Sequence, residues 1–169
     1  IKVYGEGIFL ELKEDKIKSW EIKPEVINHI NKIQENLDAL TEKRNMQSRT
    51  ISPRFVLMHT LSHVLIDKFI YESGYHEASL RERIYCSTNP NGSMTGLLIY
   101  TADGDSEGTM GGLVRMGENG IIETVFENAI KSSRWCAVDP VCTEIGKRDG
   151  QGLEKINLAA CHNCCMLPE

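Results

Sequence analysis

The chain has 169 residues, 41% of them hydrophobic and 25% charged, with 6 cysteines. These proportions fit an ordinary globular domain and exclude both a disordered tail and a disulfide-dense miniprotein. Against 24 acidic side chains stand 19 Lys and Arg, a net charge of −5, which excludes a surface that grips nucleic acid by charge over its whole extent and leaves only a local basic patch for that role. No apolar run is long enough to span a bilayer and no leader pattern is visible, so a reducing, cytoplasmic setting is expected. The chain opens on Ile1 and closes on Pro168-Glu169, which reads as a piece of a longer polypeptide, organised as one domain over residues 1–169.

In chain order, Gly7 to Leu12 is a short β-rich run closed by a charged turn, Lys13-Glu14-Asp15. Pro24 can open a helix, and Val26, Ile27, Ile30, Ile33, Leu37 and Leu40 recur at helical spacing behind it. Residues 43–52 are polar and aperiodic, hence a loop. Pro53 to Ser73 is the most apolar helix, with hydrophobic side chains around most of its circumference, and Gly74 ends it. Ser79 to Tyr85 reads as a short helix or turn, and Gly96 to Thr101 as a buried strand. Thr109 to Met116 predicts a helical turn, and Ile121, Ile122, Val125, Phe126, Ala129 and Ile130 mark a last amphipathic helix leading into Trp135-Cys136. The expected fold is α+β, a small β-sheet packed on three or four helices, with a C-terminal four-cysteine knuckle.

That knuckle is the strongest chemical signal. Cys136 and Cys142 form a C-x5-C hook, Cys161 and Cys164 a C-x2-C hook, and 18 residues separate the two. A C-x2-C turn brings two sulfurs within about 4 Å, as a tetrahedral thiolate site with metal–sulfur bonds of about 2.3 Å requires. Asp139-Pro140 can fold the wider first hook back on itself. A structural metal site on Cys136, Cys142, Cys161 and Cys164 is therefore expected. An iron–sulfur cluster is the rival, although it usually takes tighter spacing. Cys165 adjoins Cys164 and is left as a spare, and Cys86 reads as a small buried hydrophobe.

Elsewhere the signals are weaker. His59, Ser62, His63 and Asp67 share one stripe of the apolar helix. A His-x3-His pair can bind a metal, yet Thr60 stands where a zinc-protease motif needs Glu. A polar core network of His59, His63 and Asp67 is the preferred reading, and a metal-dependent hydrolase or nuclease built on the same three residues is the alternative. The acidic turn from Ala102 to Thr109 fails as a calcium loop, since Val114 occupies the place of the bidentate Glu. Lys43, Arg44, Arg49 and Arg54 concentrate positive charge and are the candidate nucleic-acid contacts, with Arg81 and Arg83 a second concentration. No nucleophile constellation or nucleotide motif stands out, so the chain by itself does not declare an enzyme.

Several strings together carry a resemblance. They are Gly5-Glu6-Gly7-Ile8-Phe9-Leu10, His59-Thr60-Leu61-Ser62-His63, Ser79-Leu80-Arg81-Glu82-Arg83-Ile84-Tyr85, Gly96 to Asp105, Trp135-Cys136 with Asp139-Pro140, and Asn157 to Cys164. In combination the chain resembles the zinc-binding C-terminal domain family of the Mrf repair helicases, and within it the DrmB branch of the DISARM anti-phage systems. The resemblance implies Zn2+ as cofactor, held by Cys136, Cys142, Cys161 and Cys164 within a subregion at 135–169. It also implies a non-catalytic, DNA-related accessory role beside a superfamily 2 helicase, either fused in one chain or present as a DrmA-like partner protein. A purely structural protein-interaction module is the remaining alternative, and neither a membrane nor a small-molecule substrate is expected.

Overall fold

A computed structural model describes residues 4–76, 79–89, 92–101, 111–138, 140, 144 and 165. Its elements are β1 (Gly7–Glu11), α1 (Glu14–Glu21), α2 (Pro24–Lys43), α3 (Pro53–Ser73), β2 (Leu80–Ser87), β3 (Met94–Thr101), α4 (Gly112–Met116) and α5 (Ile121–Ser132). The class is α+β, as expected: an antiparallel three-stranded sheet in the order β1-β3-β2, accompanied by five helices among the described residues.

α3 is the centre of the fold. Ser52 caps it, its Oγ accepting the Phe55 amide at 3.3 Å, and Pro53 follows with a backbone already suited to a first turn. Gly74 closes it in the left-handed region at φ 75°, a conformation costly for any side-chain-bearing residue. Met58, Leu61, Leu65 and Phe69 of α3 pack against Ile8, Leu80, Leu97 and Ile99 on the inner face of the sheet, with Leu113, Val125 and Ala129 from α4 and α5 closing the core. A second, smaller cluster joins Ile30 and Ile33 of α2 to Cys136, with Val26, Ile51, Val56 and Val138 around them.

Two local expectations are corrected. The segment expected as a short helix or turn at Ser79–Tyr85 is strand β2, paired with β3 from Leu80↔Thr101 to Ser87↔Met94. Its alternation explains why: Leu80, Glu82, Ile84 and Cys86 face α3, while Arg81 and Arg83 are exposed, so charges on both faces mask the period of two. The charged turn expected at Lys13–Asp15 instead opens α1, a helix short of apolar residues whose stability comes from Ile17 burial and from ion pairs made later in the chain. α1 is the helix that takes the count among the described residues above the three or four expected.

A buried carboxylate ties the sheet to the second half of the chain. Glu6, just before β1, accepts the amides of Gly111 at 2.9 Å, Val114 at 3.1 Å and Leu113 at 3.3 Å, and Tyr75 donates its hydroxyl to the same group. Burial pushes the Glu6 carboxyl up, but the hydrogen bonds from Tyr75 and the three amides outweigh it and hold the group below its ordinary value. The Tyr75 hydroxyl is pushed up to about 12 by burial and by Glu6. Because the folded-state value of Glu6 is depressed, its contribution is complete above the ordinary carboxylate range near pH ~4.3 and is lost as pH falls through the lowered value. Glu6→Gln is expected to cost about 1.5–3 kcal/mol at neutral pH, the worth of hydrogen bonds to a charged group. It should also flatten the acid limb of stability measured by urea unfolding at a series of pH values. An unchanged acid limb would show that Glu6 contributes nothing through its charge.

Candidate metal centres

Of the four cysteines expected to hold a metal, Cys142, Cys161 and Cys164 lie outside the described residues, and Cys136 lies within them. The turn that follows α5 presents Trp135 to solvent and swings Cys136 inward, where it is 6% exposed beside Ile30 and Ile33. The Val138 amide donates to Cys136 Sγ at 3.4 Å. A buried sulfur held by a backbone amide is the kind of supporting contact that orients a metal ligand, so this residue fits a ligand role. Cys165, the spare, is 3% exposed and packs in the main core. Cys86 is half-buried, and burial pushes its thiol up, as expected of an inert small hydrophobe.

The histidine stripe is assembled differently from the expectation. His59 and His63 are one turn apart on the part-buried flank of α3, their ring centroids 4.9 Å apart and inclined at 72°. Asp67, one turn further on, is exposed and does not belong to a core network. The carboxylate that reaches the histidines is Glu82 of β2, whose Oε1 lies 3.6 Å from His63 Nε2. One ligand atom from each of His59, His63 and Glu82 lies within 4.8 Å of the others. Burial, with the neighbouring His63, pushes the His59 imidazole below its ordinary value, while Glu82 pulls the other way. Glu82 is absent from the candidates expected from sequence because its segment has the look of a helix or turn. The alternation of Leu80, Glu82, Ile84 and Cys86 is the signal that places it opposite α3.

The basic set also divides. Lys43, Arg44 and Arg49 are exposed at the end of α2 and in the loop behind it. That loop is pinned rather than loose. Gln34 donates to the Arg49 carbonyl at 3.0 Å and accepts the Ile51 amide at 2.8 Å, and Ser48 donates to Asp38. Arg54 does not belong with them: only 2% of it is exposed. Its guanidinium donates to Glu21 at 2.6 and 2.8 Å and to Glu14 at 3.1 Å, and it also reaches the Ser87 carbonyl at 3.1 Å and Thr95 Oγ1 at 3.3 Å. Its place in the first turn of α3 faces α1, whose two carboxylates draw it inward and away from any phosphate.

A family profile described as the MrfA Zn-binding domain matches residues 61–165, more than half of the sequence. The chain belongs to the MrfA zinc-binding domain family. The family match runs from within α3 to Cys165 and so takes in His63, Glu82 and all four cysteines of the expected ligand set, while His59 and the basic loop precede it. Across its whole length this MrfA-type domain is also 32% identical, over 171 aligned residues, to the DISARM protein DrmB of Bacillus paralicheniformis. It covers 100% of the present chain but spans 29% of that relative's length. No helix among the described residues is long and apolar enough to cross a membrane.

Proposed function

We propose that this domain is the zinc-bound, non-catalytic accessory unit of a cytoplasmic, DrmB-like DISARM phage-defence protein, and that it supports DNA engagement by a superfamily 2 helicase partner of the DrmA kind. The observation that carries the reading is the identity to DrmB along the entire chain, joined to the family match at residues 61–165. Cys136, Cys142, Cys161 and Cys164 would hold the zinc, which supplies a cross-link between two distant hooks and no reaction chemistry. ATP hydrolysis is assigned to the helicase partner.

DNA engagement, on this reading, runs through the exposed Lys43, Arg44 and Arg49. Gln34 and Asp38 clamp their loop onto α2, so the charges are held in place before any ligand arrives. With a net charge of −5, the domain by itself should bind DNA poorly, and useful affinity should appear when a helicase completes the groove. Charge reversal at both Arg44 and Arg49 in the assembled complex is expected to weaken DNA binding. It should also reduce the slope of log K against log salt by about one for each phosphate that is no longer neutralised. Fluorescence-anisotropy titrations at several salt concentrations give both quantities. Unchanged affinity and slope would leave a zinc-bound module that touches only its protein partner.

A further inference from the structure

We propose that His59, His63 and Glu82 form a binding site for a divalent first-row transition cation of the zinc class, separate from the cysteine set and independent of the function proposed above. Two elements bring the three side chains together: α3 supplies the histidines at adjacent turns, and β2 supplies the carboxylate from the strand position facing them. Imidazole nitrogen and carboxylate oxygen are the donors such ions take when sulfur is absent.

The distances favour an ion over a plain polar network. With metal–ligand bonds of about 2.0–2.2 Å, tetrahedral ligand atoms sit about 3.4 Å from one another. His63 Nε2 and Glu82 Oε1 are already 3.6 Å apart, and the three ligand atoms lie within 4.8 Å, so small side-chain rotations complete the set. A gap of 3.6 Å is too long for a hydrogen bond between those two groups, which would close to about 2.7–3.2 Å.

A second observation is independent of the spacing. His63 Nε2 is buried and has no hydrogen-bond partner among the described residues. A buried nitrogen left unsatisfied is costly and uncommon, and a cation between His63 and its neighbours removes that cost. The Glu82 side chain is 28% exposed and that of His63 is 13% exposed, so an ion has a path in from solvent along the carboxylate. Three protein donors leave a fourth position for water, the arrangement of an open rather than a closed zinc site.

The test uses the full-length protein, cleared of metal and reloaded with Co2+ as the probe. Thiolate-bound cobalt gives an intense sulfur-to-metal band in the near ultraviolet, which a His/His/Glu site lacks. Glu82→Gln and His63→Gln are each expected to bind one cobalt ion per chain fewer than wild type while keeping the near-ultraviolet band. Cys161→Ser should lose that band and keep the other ion. Equal metal content in wild type and in folded Glu82→Gln would overturn the site. So would a wild-type protein whose whole cobalt content disappears with Cys161→Ser. If His63→Gln fails to fold by circular dichroism, Glu82→Gln decides alone, since the amide has the shape of the acid and its position is part-exposed.

Discussion

Cys161→Ser, or chelation of the metal, is expected to unfold the end of the domain and to loosen α2 with it. Structural zinc contributes on the order of 10–16 kcal/mol in small peptides, as large as or larger than the whole stability of a typical domain. The loss should not stop at the cysteine hooks. Cys136 packs directly on Ile30 and Ile33, so freeing it opens the smaller of the two apolar clusters, whose other described members are Val26, Ile51, Val56 and Val138. The main core around Met58, Leu65, Phe69, Leu97 and Ile99 is built from other elements and should persist. Amide exchange separates these outcomes: faster exchange from Trp135 to Val138 and along α2, with α3 and β3 still protected. Unchanged exchange at 135–138 after the metal is stripped would remove the cysteines from any structural role.

Arg54→Met should be the most damaging single change outside the cysteines. The guanidinium is 2% exposed and joins α1, α3 and the ends of β2 and β3 through Glu14, Glu21, Thr95 and the Ser87 carbonyl. Met keeps most of the apolar stem but removes every donor, leaving the carboxylates and the Ser87 carbonyl without their shared partner. Breaking a fully buried ion pair costs about 3–5 kcal/mol, and since both carboxylates here keep some water the expected loss is about 2–4 kcal/mol. The urea midpoint should fall accordingly. Lys at this position should recover only part of the loss, because a single ammonium cannot reproduce the two-pronged grip on Glu21. A variant with wild-type stability but weakened DNA binding would return Arg54 to the nucleic-acid set.

Arg54 also illustrates where sequence reasoning stops. As one of four basic residues flanking a polar loop it is indistinguishable from Lys43, Arg44 and Arg49, which do face solvent. What sets it apart is the company of Glu14 and Glu21, more than thirty residues away in the chain. Helix α1 is hard to see in the sequence for a related reason: it carries little apolar periodicity and is held by this ion pair and by Ile17, neither of which is a local signal. The same holds for Glu82, whose partner histidines lie on another element.

What the sequence determined by itself was the part governed by short-range pattern. α2, α3 with its Pro53 start and Gly74 end, β1, β3 and α5 each follow from apolar spacing and end signals within a dozen or so residues, and the α+β class follows from their order. The paired cysteine hooks and the strings that carry the resemblance to the MrfA zinc-binding domains are likewise local, which is why the family was legible in the sequence. Tertiary structure alone decided which polar residue meets which. It exposed Asp67, buried Arg54, turned Ser79–Tyr85 into an edge strand and set Glu82 against His63. The physical reason is that a charged side chain has no preferred burial of its own. It goes inside only where the fold supplies a counter-charge, as for Arg54, or a set of hydrogen-bond donors, as for Glu6, and these come from a distant stretch of chain that no local pattern records.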